Sequence, residues 1–157
     1  GVRGGSAGRL PLALIMGIGA VAVVAFDSYA ALFSGRVVAN ADSLVFATLF
    51  ALLGSAVPEE LLFRGYLMSS LDGRMRRWSR VIVSAAAFTA VRCVRFWPGE
   101  GLGMGDWMVY ISGAVLPLGL WWRLMRELSG GSIWPGLASH FLLEFGTTLA
   151  RTSHAPS

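Results

Sequence analysis

The sequence predicts an all-α fold, a polytopic membrane bundle of about five transmembrane helices. Hydrophobic residues make up 55% of the 157-residue chain and charged residues only 14%, and the mean hydropathy is +0.62. A soluble domain carries roughly 25% charged residues. Because residue 1 is a glycine and not an initiator methionine, we expect that an N-terminal piece, which could carry further helices, is missing.

Two spans are predicted in the first half of the chain. The apolar run at residues 10–33 has the length of a full span, which requires about 20 residues. Residues 43–71 form the second predicted span and contain Pro58. Proline inside a helix removes one backbone hydrogen bond, so we expect a kink there that opens space beside Glu59.

Three further spans follow a compact basic loop. The loop at residues 72–80 carries four arginines and a tryptophan at the membrane interface. The third predicted span covers residues 81–97 and ends at a Pro-Gly pair, the fourth covers residues 107–125 and the fifth covers residues 132–150.

One domain and one membrane orientation follow from these spans. Residues 10–150 form a single membrane-embedded domain between a flexible basic tail at residues 1–9 and a polar tail at residues 151–157. Only Arg36 and Arg151 fall on one side of the membrane, and eight arginines fall on the other: Arg3, Arg9, Arg74, Arg76, Arg77, Arg80, Arg123 and Arg126. The positive-inside rule therefore predicts a cytoplasmic N-terminus. A basic composition without lysine indicates a GC-rich bacterium, and hence the bacterial cytoplasmic membrane.

Charge, cysteine and glycine patterns limit the alternatives. The thirteen arginines lie mostly at the ends of apolar runs and not on a soluble aromatic face, so no nucleic-acid partner is predicted. Cys93 is the single cysteine, which excludes an internal disulfide. The six tryptophans are interpreted as an aromatic belt at the membrane interfaces. Gly17, Gly19, Gly113 and Gly119 are predicted to be close helix-packing positions.

Six polar residues inside the predicted spans support the functional hypothesis: Glu59, Glu60, Arg64, Arg92, His140 and Glu144. At about 1.5 Å per residue, the three helices that carry them place them at similar depths, so we expect one shared site near the middle of the membrane. Glu60 and Arg64 are four residues apart on one helical face, which leaves Glu59 as the free carboxylate.

A buried cluster of this composition points to hydrolysis of an amide. Three carboxylates against two arginines leave one excess negative charge, which a bound proton or a protonated His140 would neutralise. A glutamate and a histidine facing a trapped water can take its proton, let hydroxide attack a carbonyl and pass the proton to the leaving amine. The other interpretation is a structural ion-pair cluster, but three such close charges in a membrane span are more than packing requires.

The motifs around these residues resemble those of a known family. Residues 59–64, within the segment PEELLFRGYL, resemble the Glu-Glu-x-x-x-Arg motif of the CAAX protease and bacteriocin-processing family. The second family motif, Phe-x-x-x-His, falls on residues 88–92. The third, His-x-x-x-Asn or His-x-x-x-Asp, falls on residues 140–144 after GGSIWPGLASH. Order and spacing match over about residues 44–150.

The resemblance implies a glutamate-type intramembrane endopeptidase whose helices surround a cavity open to the cytoplasm. By this resemblance, Glu59 would activate the water with His140 beside it. Glu60 and Arg64 would support the site, and Glu144 would take the polar position that helps to bind the oxyanion.

Two positions depart from the family pattern. Arg92 stands where the second motif has histidine, and arginine neither accepts a proton nor binds a metal at neutral pH, although it can donate to an oxyanion. Glu144 stands where the third motif has Asn or Asp, and an ionised carboxylate repels an oxyanion unless it is paired. An ion pair between Arg92 and Glu144 would account for both substitutions.

No cofactor is predicted, because only His140 and the carboxylates remain as ligands; zinc is an alternative that we do not favour. The expected partners are the lipid bilayer and a membrane protein or lipidated peptide substrate. Two other functions stay open. A catalytically inactive relative would bind a partner membrane protein, as in bacteriocin immunity or as a scaffold, and its binding would survive Glu59→Gln. A small proton-coupled carrier would show uptake that depends on pH, without hydrolysis.

Overall fold

The computed structural model describes residues 10–95 and 103–153, and in these ranges the chain is a bundle of six helices. They are α1 (Leu10–Val24), α2 (Phe26–Phe33), α3 (Ala41–Ser70), α4 (Arg77–Arg95), α5 (Met104–Leu128) and α6 (Trp134–Thr152). The all-α prediction is confirmed. The predicted tail at residues 1–9, and the last four residues of the tail at 151–157, lie outside the described residues.

In the described ranges, two helices have the length and apolar composition to cross a membrane. They are α3, with 30 residues, and α5, with 25 residues; α1 and α2 make a third if they count as one bent span. The predicted number of about five spans is therefore not confirmed. Helices α4 and α6 have 19 residues each, but four residues of α4 are arginines and α6 contains a histidine, a glutamate and an arginine.

The first predicted span, residues 10–33, is not one straight helix. It consists of α1 and α2, which are bent by 76° at the break around Ala25. The hydroxyl of Tyr29 on α2 donates to the carbonyl oxygen of Leu142 on α6 at 2.7 Å. A Cβ at Gly146 would lie 2.5 Å from the Tyr29 ring. The absence of a side chain at this glycine therefore lets Tyr29 anchor α2 against α6, which holds the bend.

Helix α3 continues through Pro58, where the sequence predicts a kink. Two π-helical segments, Phe50–Ala56 and Glu60–Leu67, lie on either side of a short α-helical piece, Val57–Glu59. Local π-helical geometry can accommodate the hydrogen bond that a proline cannot donate. The two neighbouring glutamates lie at the junction of these segments, a geometry that is frequent at functional sites.

Two of the four glycines predicted to be helix-packing positions are confirmed. A Cβ at Gly17 would lie 2.8 Å from Cε of Met125 on α5, and one at Gly119 would lie 3.0 Å from an aromatic carbon of α4. The prediction is wrong for Gly19 and Gly113, because no described atom lies within 4 Å of the corresponding position. Helix α1 thus packs through one of its two glycines.

Gly17→Val is expected to lower the free energy of unfolding by about 1–3 kcal/mol, because the new side chain would overpack the contact with Met125. Gly19→Val, two residues away on the same helix, is the matched control and should change it by less than about 0.5 kcal/mol. Unfolding of the detergent-solubilised protein, followed by circular dichroism, measures both. Equal effects of the two substitutions would contradict this packing of α1.

Candidate active site

The six predicted site residues meet in one buried cluster where α3, α4 and α6 come together. Five of them are at most 7% exposed, and Glu144 is half-buried. Charged groups at such burial need partners, because removing an ion from water costs several kcal/mol. The partner of each charged side chain therefore determines what that side chain can do in the site.

Glu60, Arg64 and His140 form the inner half of the cluster. Oε1 of Glu60 lies 2.8 Å from Nη1 of Arg64, as the spacing predicts, and 3.2 Å from Nδ1 of His140. An ionised carboxylate only accepts hydrogen bonds, which assigns a proton of His140 to Nδ1. A Cβ at Gly136 would lie 2.9 Å from Oε2 of Glu60, so this glycine makes room for the carboxylate. Glu60 thus holds the imidazole with Nε2 towards the outer half of the site.

Glu59 is not the free carboxylate that the sequence predicts. Nη2 and Nε of Arg92 donate to Oε2 of Glu59 at 2.8 and 3.1 Å, and the hydroxyl of Ser55 donates to Oε1 at 3.3 Å. Helical spacing within α3 could not reveal this arginine, because it comes from α4. The predicted ion pair between Arg92 and Glu144 is confirmed, with Nη2 and Oε1 2.8 Å apart.

One nitrogen, Nη2 of Arg92, lies at the centre of the outer half. Among the described residues its polar neighbours include Oε2 of Glu59 and Oε1 of Glu144 at 2.8 Å, Nε2 of His140 at 2.9 Å and Oγ of Ser55 at 3.0 Å. An arginine N–H only donates, so Nε2 of His140 accepts here and the imidazole is neutral. Two to four polar neighbours are what a buried water takes. Arg92 therefore occupies the position that a water shared by Glu59 and His140 would need.

Aromatic rings enclose the inner half of the cluster. The ring of Trp122 stacks on His140 with centroids 4.2 Å apart, and the guanidinium of Arg64 lies 5.0 Å from the ring centroids of Trp122 and Phe88. Such cation–π contacts stabilise a desolvated arginine. Trp122 is 1% exposed, so its assignment to the interfacial aromatic belt is wrong. The sequence could not predict this contact. The position of Trp122 near the end of a predicted span does not indicate whether its side of the helix faces the lipid or the other helices.

Ser55 belongs to the cluster but was not among the predicted site residues. It is 0% exposed, and its hydroxyl lies 3.0 Å from Nη2 of Arg92, 3.3 Å from Glu59 and 3.4 Å from Nε2 of His140. The signal in the sequence is its position four residues before Glu59, on the same face of α3. Serine is common at helix interfaces in membranes, so this spacing alone is not specific.

Arg123 is buried within the helix bundle, which the sequence does not predict. The sequence places it on the cytoplasmic side of the membrane, but its side chain is 0% exposed and its Nη2 donates to the carbonyl oxygen of Ser84. Helix α5 extends to Leu128, so Arg123 lies within the helix and not at its end. Arg123 is thus a third buried arginine in the described residues, beside Arg64 and Arg92.

The donor set does not fit a metal ion. In the described ranges, no group of three or more His, Cys, Asp or Glu side chains is arranged to hold one. The best candidate ligands, Glu59, His140 and Glu144, surround Nη2 of Arg92, and the positive charge of this guanidinium repels a cation.

A cavity of about 580 Å³ lies beside the cluster. This volume is within the range of small-molecule and cofactor sites. Arg92 and Glu144 line the cavity, whereas Glu59 and His140 are not among its described lining residues. Arg92 and Glu144 therefore lie between the cavity and the carboxylate–imidazole pair.

Comparison with known protein families assigns the chain. A family model described as type II CAAX prenyl endopeptidase Rce1-like matches residues 41–146, more than half of the 157 residues. The chain belongs to this family. The Rce1-like match contains all six predicted site residues and confirms the resemblance that the three motifs indicate. No curated protein and no solved structure matches the chain.

Two general statements follow from membership in the Rce1-like family. With its apolar helices, the chain is an integral membrane protein. The family is one of proteases that act on membrane-associated proteins. The match begins at residue 41 and therefore leaves out α1 and α2, which contribute to the cavity through Val24, Asp27 and Ser28.

Proposed function

We propose that this Rce1-like chain is an intramembrane endopeptidase in which Glu59 and His140 activate water. Its substrate is a membrane-associated or lipidated protein, and its location is a bacterial cytoplasmic membrane with the N-terminus in the cytoplasm. The observation that supports the proposal is the convergence of all six predicted site residues, from three helices, on one buried cluster. Carboxylates, a neutral imidazole and an arginine are groups that amide hydrolysis uses.

In the proposed reaction, Glu60 and Arg64 position His140, and Glu59 is the general base. Nε2 of His140 accepts one hydrogen bond from the water, and the carboxylate of Glu59 takes its other proton. The hydroxide oxygen bonds to the carbonyl carbon of the substrate, and the electron pair of the carbonyl moves to its oxygen. When the oxyanion collapses, the C–N bond breaks and Glu59 returns the proton to the leaving amine nitrogen.

Arg92 has to move away from Glu59 before the water can bind. The guanidinium also contacts Glu144, with Nη2 and Oε1 2.8 Å apart, so it can stay paired with Glu144 when it leaves Glu59. Both side chains line the cavity, where the substrate carbonyl would arrive. In that position Arg92 donates to the oxyanion, a role that arginine can fill although it cannot act as a base. No metal takes part.

A second candidate function is that of a catalytically inactive relative, which binds a membrane protein or a lipidated peptide in the same cavity. The observation that favours it is the two-bond contact of Arg92 with Oε2 of Glu59, at 2.8 and 3.1 Å. Charge-assisted pairs of this kind are the strong ones in proteins. If this pair persists with substrate bound, no water reaches the base.

Arg92→His separates the two candidates. In the proposed endopeptidase, wild type cleaves a membrane protein and the variant cleaves it at least about tenfold more slowly, because the substitution removes the guanidinium that donates to the oxyanion. New N-termini among the membrane proteins of expressing cells, detected by mass spectrometry, measure the cleavage. Glu127→Gln, on the cytoplasmic end of α5, is the control and should cleave at the wild-type rate. Cleavage by Arg92→His alone would indicate the inactive relative, and no cleavage by either form would contradict the endopeptidase.

A further inference from the structure

Two contacts join the facing sides of α4 and α5 near one end of this helix pair. Nε of Arg77, the first residue of α4, lies 2.9 Å from Oε2 of Glu127, close to the end of α5. Deeper in the bundle, Nη2 of Arg123 donates to the carbonyl oxygen of Ser84. Between these two contacts the residue numbers rise along α4 and fall along α5, so the helices are antiparallel here. The residues that lie between the contacts therefore face each other across the pair.

Three arginines come together on this part of the helix pair. Arg80 lies one turn before Ser84 on α4, and Arg126 lies one turn after Arg123 on α5. Side chains three or four residues apart share a helical face, which places Arg80 and Arg126 between the two contacts and Arg123 deeper in the bundle. Arg80, Arg123 and Arg126 thus form an arginine cluster that is separate from the candidate active site.

The arginine cluster contains buried hydrogen-bond donors without an acceptor. Among the described residues, Nε of Arg80, Nε of Arg126, and both Nε and Nη1 of Arg123 are buried and have no hydrogen-bond partner. Arg123 as a whole is 0% exposed. A guanidinium nitrogen only donates, so it needs an acceptor, and a buried donor without one is unfavourable. Donors from three side chains are therefore available to one ligand that carries several acceptor atoms.

The charges around the arginine cluster indicate that this ligand is an anion. Two carboxylates lie nearby: Asp72, whose Oδ1 lies 2.5 Å from Nη1 of Arg80, and Glu127 on α5, which pairs with the arginine at the start of α4. Neither Arg123 nor Arg126 forms an ion pair within the described ranges. Removing an ion from water is costly unless an opposite charge compensates. The cluster thus has an excess of positive charge.

We infer that the arginine cluster binds a phosphate group. Phosphate oxygens accept several hydrogen bonds at once, and the planar fork of a guanidinium matches their geometry. The phosphate belongs to the headgroup of an anionic phospholipid or to an ion in solution. Trp78, between the first residue of α4 and Arg80, is 63% exposed, and an exposed tryptophan at a helix end is typical of the membrane interface, where headgroups lie. The inference does not depend on the proposed endopeptidase.

Binding of phosphatidylglycerol to the purified protein in detergent, measured by native mass spectrometry, tests the inference. Arg80→Gln and Arg126→Gln should each weaken binding by about tenfold or more, because each removes a hydrogen bond to a charged group. Arg36→Gln, in the turn between α2 and α3, removes the same charge elsewhere and should bind as wild type does. Asp72→Asn should bind at least about threefold more tightly, since it removes the carboxylate that competes for Arg80.

Inorganic phosphate, added as a competitor, distinguishes the two sources. Phosphatidylglycerol that inorganic phosphate does not displace would identify the lipid headgroup as the ligand. Inorganic phosphate that binds and shows the same order of variants would identify the ion in solution. Two results would overturn the inference: wild type that binds neither probe, and Arg80→Gln and Arg126→Gln proteins that bind as tightly as Arg36→Gln. Because Arg80 and Arg126 are half-buried, these variants are expected to fold, and circular dichroism verifies this before the measurement.

Discussion

Replacing Glu59 with glutamine is expected to lower the rate of peptide hydrolysis by about 10²–10⁴-fold, which is the contribution of general acid–base catalysis. Glutamine keeps the shape of the side chain and can still accept a hydrogen bond from Arg92, but its amide cannot take a proton from water. The Nε2 atom of His140 lies 3.7 Å from Oε2 of Glu59, so the imidazole remains in place to orient the water. The measurement is kcat of the purified protein in proteoliposomes, on a membrane protein found by the N-terminal screen.

Glu127→Gln is the matched control for this experiment. Glu127 carries the same charge but pairs with Arg77 near the end of α5, outside the buried cluster. Its replacement should leave kcat unchanged within about twofold, because the pair lies outside the buried cluster. The fold should also be kept, since surface ion pairs contribute little to stability. Both variants are compared at equal amounts of folded protein. A Glu59→Gln protein that keeps full activity would show that Glu59 is not the base, even if wild type is a protease.

The long helices and the composition of the site could be predicted because each rests on local chemistry. Residues 43–71 and 107–125 were predicted as spans and lie within or close to α3 and α5. Apolar runs bounded by charges have few alternatives to a helix in a membrane, since their backbone must satisfy its own hydrogen bonds. The ion pair of Arg92 and Glu144 was expected because it accounts for both departures from the family motifs, at residues 92 and 144.

What the sequence could not predict depends on the packing of helix faces. Spacing along α3 pairs Glu60 with Arg64, but it cannot say which residue of α4 reaches Glu59. Trp122 and Arg123 sit near the end of an apolar run, which is typical of an interface, yet their side of α5 faces the core. The bend at Ala25 is held by Tyr29, whose partner lies more than a hundred residues away in the chain. Each of these facts is a contact between helices.

The position of Nη2 of Arg92 determines whether a water can reach the proposed base. Its polar neighbours include the proposed base, Glu59, and the imidazole that would orient the water, His140. The same atom makes the contact with Glu144, at the wall of the cavity. A substrate that draws Arg92 towards the cavity would therefore also make the Glu59 carboxylate accessible to water. Without that movement Arg92 stays paired with Glu59 and occupies the place of the water.

Glu60→Gln is expected to lower the free energy of unfolding by about 3–5 kcal/mol, the cost of breaking a buried ion pair by removing one partner. Arg64 is 0% exposed, and its Nη1 lies 2.8 Å from Oε1 of Glu60. Among the described residues, Nε and Nη2 of Arg64 have no hydrogen-bond partner, so little remains to offset the lost carboxylate. The rings of Phe88 and Trp122 still face the guanidinium but carry no full charge. Denaturant unfolding of the purified protein in detergent measures the change.

A double-mutant cycle shows whether this loss belongs to the pair. Arg64→Met removes the buried cation, so the combined Glu60→Gln and Arg64→Met protein should be more stable than the sum of the two losses predicts, with a coupling energy of about 1–3 kcal/mol. The pair of Arg77 and Glu127 is the control, because the Arg77 side chain is 49% exposed and its cycle should give about 0–1 kcal/mol. Additive losses at Glu60 and Arg64 would mean that the carboxylate is held chiefly by His140. The inner half of the site would then rest on the imidazole, and His140→Gln should become the more destabilising change.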